Sequence, residues 1–361
     1  MQVRSALLYA LTLLLALSCT EEIIVVEATA ENPPAYRELP ATWGAYKRFL
    51  NAGLVPGGLV FLGENTDLFV HAPDDVESCL NHVGRRSADA LASELQAVVS
   101  ARDLRIHAIG KDAFWCNQQL DTVLQFDSIE PDILSPQQLN YHDSRALFSD
   151  NYLFFPYAVA DDPLLHIAII EVDLNRAFLL VPRIKRVQRV VLKGVTMNDF
   201  NYCYHAVPGG ILVEANGVTG QYGTFRISTT GEVSKVYDYS LLKVFPYQGL
   251  YGMHYAVDGT YATEIVTSTD GTNWTPYARA NADAILNFKE LEQGQLIAYW
   301  NAQLLYIPQF GPDSLTTVNL NVHEIGNNTI TTVASLDSTL YVGTLSGLFY
   351  RDLAEALGDG Q

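Results

Sequence analysis

The sequence is short of positive charge, cysteine and methionine. Against 40 acidic residues it sets 22 lysines and arginines, a formal charge of -18 over 361 residues. A phosphate backbone rewards a basic surface, so this balance argues against nucleic acid as a partner. It argues equally against electrostatic docking on anionic lipid. The four cysteines include no C-x-x-C pair, which removes the usual zinc and dithiol spacings. There is no Gly-rich phosphate loop, no H-E-x-x-H and no G-x-S-x-G, so the common motifs of phosphate, zinc and serine chemistry are missing. No cofactor is expected. What remains is a folded chain with ample core, 48% hydrophobic and 17% charged.

The chain begins MQVRSALLYALTLLLALSCT. Arg4 supplies a positive start, and Ala6 to Leu17 form an uncharged apolar run, too short to span a bilayer but suited to a signal peptide. Small Ser18 precedes Cys19. This arrangement resembles the lipobox of bacterial lipoproteins, with Ala16 standing where leucine is usual. The resemblance implies a signal peptide over residues 1–18 and a diacylated Cys19 as the mature N-terminus. Ala28-Thr29-Ala30 looks like a soluble-secretion cleavage motif but lies too far beyond the apolar run. The acidic pair Glu21-Glu22 resembles the surface-export signal of Bacteroidota lipoproteins. A lipid-anchored protein of the cell envelope, at the outer membrane on its periplasmic or exposed face, is therefore expected. The lipid would be its only membrane contact. With Cys19 lipidated, Cys79, Cys116 and Cys203 form at most one disulfide, and buried free thiols are the simpler expectation.

Residues 53–63 read GLVPGGLVFLG and residues 205–215 read HAVPGGILVEA, the same V-P-G-G step between two apolar runs. Aligning further segments on a Gly, Asp, Asn or Ser turn gives seven hairpins, at Gly53, His107, Ala146, His205, Tyr255, Glu290 and Ala334. Their spacing of 35 to 59 residues centres on the length of a four-stranded propeller blade. The expectation is an all-β β-propeller over residues 41–361, seven-bladed with six or eight as alternatives, behind a linker over 19–40. Only 27 residues follow Ala334, enough for three strands, so the fourth is expected from the N-terminal side, where Glu22 to Thr29 is strongly β-forming. Ser87 to Arg102 carries Leu91, Leu95, Val98 and Val99 at helical spacing and reads as one helix between the first two blades. STDGTNW resembles the Asp-box of sialidase-type (BNR-repeat) propellers, which implies a structural turn built by Ser268, Asp270 and Gly271 with Trp274 packed behind it. Ser338 to Asp352 resembles the closing strands of a sensor-type propeller blade.

If the seven hairpins are equivalent, His107, His205, Tyr255 and Glu290 converge on the central channel. His107 and His205 are then the weak candidates for a metal, against a plain polar channel. Loops before the innermost strands offer Tyr141, His142, Tyr202, Tyr204, Tyr251 and His254, and tyrosine both stacks and hydrogen-bonds. These residues are the candidate ligand-binding set, for a protein or glycan partner. The sialidase resemblance raises glycoside chemistry as an alternative, but only Arg145 stands near the place where such enzymes cluster three arginines. No carboxylate pair separates itself from the background of acids. A non-catalytic recognition or scaffold role is the leading expectation, with a carbohydrate-active enzyme second.

Overall fold

A computed structural model of the chain describes residues 35–39, 49–55, 58–63, 66–80, 89–92, 95–99, 102–108, 122–134, 146–175, 181–196, 203–216, 222–256, 262–280, 285–312 and 314–358. They form seven four-stranded antiparallel sheets, all within the compact unit Tyr36–Gln361. Blades 1 to 6 each use four consecutive strands, spanning residues 49–80, 89–125, 147–196, 204–237, 243–280 and 287–319. Blade 7 takes Ile330–Leu336, Thr339–Thr344 and Leu348–Asp352, and its outermost strand is Arg37–Glu38. The fold is a seven-bladed β-propeller.

First strands touch between blades 7 and 1, 1 and 2, 2 and 3, 3 and 4, and 5 and 6, which puts them round the axis. The apolar core lies in the seams between consecutive sheets. Phe154 packs toward blade 4 and the next residue, Phe155, toward blade 2, and both are fully buried. Two-sided burial explains why the strands read as continuous apolar runs rather than as an alternating pattern. Each such phenylalanine contributes about 2–3 kcal/mol by leaving water. In the seam between blades 5 and 6 the filling is aromatic. Phe245 stacks on Phe288 at 4.4 Å, and Tyr251, Tyr277 and Phe310 close round them.

Both V-P-G-G steps join an innermost strand to the second strand of its blade. Val207 pairs with Gly210 across Pro208-Gly209, and Val55 pairs with Gly58. Proline fixes its own φ, and Gly209 supplies the positive φ of 68° that the bend requires. The hairpins at Ala146, Glu290 and Ala334 occupy the same place in blades 3, 6 and 7.

Three expectations need correction. His107 lies on Asp103–Ala108, the third strand of blade 2, and Tyr255 ends Leu250–Tyr255, the second strand of blade 5. Neither belongs to an innermost strand, because any tight turn between apolar runs satisfies the same local pattern. The stretch read as a helix contains instead Asp89–Ala92 and Leu95–Val99, the first two strands of blade 2. Leu95, Ala97 and Val99 are all buried at a period of two, and pairing with Asp103–Ala108 overrides the helical spacing. The described helices are short, Phe126–Ile129 and Leu353–Gly358. Finally, the strand that closes blade 7 is Arg37–Glu38, inside what reads as linker; Glu22 to Thr29 lies outside the described residues.

Candidate functional site

Each blade has two ends. Turns from first to second and from third to fourth strand lie at one end. Turns from second to third strand and the blade-to-blade connections lie at the other, here called the connection end. The candidate residues divide between them. Tyr204 and His205 begin the innermost strand of blade 4, and His254 and Tyr255 finish the second strand of blade 5, so all four lie at the connection end. Tyr251 begins that second strand and Glu290 finishes the innermost strand of blade 6, which puts both at the opposite end. Tyr251 is also committed to the aromatic seam of blades 5 and 6. Tyr141, His142, Tyr202, Cys19 and Cys116 lie outside the described residues. Sheet faces look round the ring, so side chains of an innermost strand point at neighbouring blades more than into the channel. Tyr204 packs toward blade 3, whereas Val207 joins the seam to blade 5.

His205 and His254 both serve the seam between blades 4 and 5. His205 Nε2 lies 3.2 Å from the Leu241 carbonyl oxygen. Buried His254 sets Nδ1 2.8 Å from the Tyr255 carbonyl, so that nitrogen carries the proton and donates it. Its Nε2 lies 3.1 Å from the Tyr237 hydroxyl and 3.6 Å from Glu264 Oε2, and Tyr239 stacks on the ring at 5.2 Å. Burial, reinforced by the Glu264 charge, pushes the Tyr237 hydroxyl up to about 12. Among the described residues no group of three His, Cys, Asp or Glu side chains could hold a metal ion. His107 and His205 stand on blades 2 and 4 with blade 3 between them.

The same seam hides a carboxyl group that sequence reasoning missed. Glu214 is fully buried, with Cys203 and Ser240 as the polar groups beside its carboxyl. Burial holds its carboxyl above the usual carboxylate range, against the opposing pull of Cys203 and Ser240. An acid that binds its proton more tightly folded than unfolded loses stability as pH climbs from the ordinary 4.5 through the raised folded value. Glu214→Gln should therefore remove a fall in stability that the native chain shows over that interval. Urea denaturation at several pH values measures it, and parallel pH profiles for the two proteins would contradict the assignment.

Tyr157 and Glu130 form a hydrogen-bonded pair between blades 2 and 3. Tyr157 donates to Glu130 Oε2 at 2.7 Å, Arg189 holds Glu130 Oε1 at 3.1 Å, and His166 lies 2.9 Å from Asp162 Oδ2 and 3.5 Å from Glu130 Oε2. A glycosidase nucleophile must meet its substrate and have its proton loosened. Tyr157 is only 2% exposed, and burial, then Glu130, drive its hydroxyl upward instead. The group is a structural clamp. It ties the connection after blade 2 to the second-to-third hairpin of blade 3.

At Ser268–Trp274 the turn is self-contained. Asp270 Oδ1 accepts from the Thr272 and Asn273 amides at 2.7 and 3.1 Å, Ser268 Oγ accepts from Gly271 N at 3.0 Å, and Trp274 Nε1 donates to the Gly271 carbonyl at 3.3 Å. Backbone amides, Thr272 first, hold the Asp270 carboxyl below its usual range. Trp274 packs into the seam of blades 4 and 5.

Exposed aromatic side chains single out the connection end. Tyr222 is 49% exposed, Tyr255 55% and Trp300 42%, the exposed large aromatics among the described residues. Each sits where the second strand of its blade gives way to the third: Tyr222 opposite Asn216, Tyr255 opposite Thr263, Trp300 opposite Gln303. Those blades are 4, 5 and 6 in succession. Only Tyr255 was among the residues the sequence nominated.

No family model matches the sequence, and no curated protein matches it. Among solved structures, the extracellular domain of the putative one-component system BT4673 from B. thetaiotaomicron is similar at a TM-score of 0.51 and 10% identity, over 89% of this chain and 40% of that one. A chain of a mitotic checkpoint complex is similar at 0.50 and 9% identity, over 89% of this chain and 94% of that one. PorZ, a surface component of the type-IX secretion system of Porphyromonas gingivalis, is similar at 0.48 and 12% identity, over 89% and 38%. The likeness is one of fold. The chain spans about two fifths of the length of the BT4673 and PorZ chains.

Proposed function

We propose that this propeller is a lipid-anchored protein of the cell envelope that binds a protein or glycan without transforming it. The observation that carries the reading is the row of Tyr222, Tyr255 and Trp300 along one end of three consecutive blades. Rigid aromatic rings at strand ends offer flat apolar area and hydrogen-bonding edges at little entropic cost, which suits a sugar face or a peptide. The resemblance at Cys19 supports the lipid anchor, and the extracellular domain of BT4673 among the solved likenesses accords with an envelope role.

Two experiments test it. Tyr255→Ala and Trp300→Ala should each weaken binding of a panel glycan by roughly tenfold or more while leaving thermal unfolding unchanged, and no product should form. For a protein ligand, a photo-crosslinking residue placed at 255 or 300 in cells should yield a specific adduct that the same residue at exposed Val123 does not. Product formation, or neither glycan binding nor an adduct at these positions, overturns the proposal. The anchor is tested separately: Cys19→Ser should abolish incorporation of labelled fatty acid and leave the signal peptide uncleaved.

A further inference from the structure

The outermost strand of blade 3, Val181–Thr196, is 16 residues long. The other outermost strands run to between 2 and 6 residues. Its outer edge has no strand partner among the described residues, although part of the strand packs against the third and fourth strands of blade 2, where the Pro182 carbonyl accepts from Thr122 Oγ1. Against that edge lies a groove of about 490 Å³. Six consecutive residues, Gln188 to Lys193, line it together with Val195, and Phe225, Gly231 and Val233 of blade 4 form the opposite wall. Side chains along a strand alternate between its faces, so a wall made by consecutive residues is made by the strand's backbone edge as well. Val191 and Val233 are exposed apolar groups at its rim.

Charge says what fits there. Arg183 to Lys193 hold five of the chain's 22 basic residues in a molecule of net charge -18. Several are already neutralised: Lys185 pairs with Asp173 at 3.2 Å, Arg186 with Glu171 at 3.8 Å and Arg189 with Glu130 at 3.1 Å. Lys193, exposed at the groove, has no ion pair among the described residues. Basic residues on an open edge repel like-charged strands, which is how edges are protected from indiscriminate pairing. The same residues attract an acidic strand.

We propose that this edge accepts an extended acidic segment of a partner protein as a fifth strand of blade 3. Main-chain hydrogen bonds to the edge would give affinity. Alternate aliphatic side chains would enter the Val190–Leu192–Phe225–Val233 groove, and acidic ones would meet Lys193 and the outer face of Arg189. Residues 188–193 give room for about six residues of partner strand. The surface is separate from the Tyr222–Tyr255–Trp300 row, so either can fail alone.

The probe is a capped six-residue peptide of alternating glutamate and valine, with a lysine–valine peptide and an alternately N-methylated glutamate–valine peptide beside it. Fluorescence anisotropy should show saturable binding of the first, no binding of the second, and a loss of roughly tenfold or more for the third. Amide hydrogen exchange should slow across 187–195 when the first peptide is added. Lys193→Glu, an exposed change whose folding is checked by its unfolding midpoint, should weaken binding roughly tenfold, and raised salt should weaken it further. Absence of binding, binding without protection of this strand, equal binding of the lysine peptide, or indifference to Lys193→Glu would each overturn the proposal and leave the basic residues as edge protection only.

Discussion

Gly210→Ala should destabilise the protein by about 3 kcal/mol and lower its Tm by about 5 °C. Gly209→Ala, one residue away, should cost only about 1 kcal/mol. The two glycines of the motif answer different demands. Gly209 turns the chain at a φ of 68°, and a side chain there would meet only the flexible end of Arg226 at 3.4 Å. The penalty at 209 is thus the ordinary one for a left-handed residue. A Cβ on Gly210 would stand 2.2 Å from the Ile227 carbonyl oxygen and 3.1 Å from the Ser228 Cα. Those atoms belong to the third strand, and its ladder with the second would have to part. Gly210 is also held from its other side, since its amide donates to Ser149 Oγ at 3.1 Å while that hydroxyl donates to the Val207 carbonyl at 2.7 Å. The hairpin of blade 4 is therefore pinned to blade 3 and cannot drift to make room. In the other copy of the motif, a Cβ on Gly58 would lie 2.5 Å from the Val70 carbonyl oxygen, so Gly58→Ala should behave alike. Thermal and urea denaturation of the three variants check this. A larger loss at 209 than at 210 would contradict the explanation of why V-P-G-G is written twice.

How far the sequence revealed the structure depends on how local each signal is. Tight turns are local, and the bends at Val207–Gly210 and at Leu336–Thr339 could be read directly because Gly, Asp and Ser tolerate the backbone they need. The same locality misplaced Tyr255 and His107. A turn from second to third strand carries the same residues as one from first to second, and only the ring distinguishes them. Leu95 to Val99 shows the converse: a short apolar run fits either period, and its buried alternate residues were fixed by pairing with Asp103–Ala108. The binding row was harder still. Trp300 closes the run Leu296–Trp300 directly before a turn, a faint sign of a strand-end aromatic. Its alignment with Tyr222 and Tyr255 exists only once three blades stand side by side. Glu214 gave no sign, because nothing in ILVEA says that the neighbouring blade will cover the carboxylate.

Closure of the ring is the place where the smallest element carries the greatest demand. Arg37–Glu38 pairs with Tyr350 and Phe349, and one further bond runs from Leu39 N to the Leu348 carbonyl at 2.9 Å. So few backbone bonds, worth about 1 kcal/mol each, cannot hold a terminal segment against its own freedom. The flanking side chains hold it instead, and in two different seams. Buried Tyr36 belongs to the seam of blades 6 and 7, and buried Leu39 to that of blades 7 and 1. Tyr36→Ala should cost about 4 kcal/mol and Leu39→Ala about 3 kcal/mol. Because they plug separate cavities, the two losses should nearly add. Tyr36 has a second task, since its ring lies 5.6 Å from the guanidinium carbon of buried Arg351 and shields that charge. Tyr36→Phe keeps both the volume and the ring face and should cost under about 1.5 kcal/mol. Urea midpoints order the four proteins, and sedimentation tests the consequence. With the strand released, the edge of Leu348–Asp352 opens, and the double variant should self-associate more than the native chain. A double variant that unfolds at the native midpoint and stays as dispersed as the native chain would mean that the blades close without this strand.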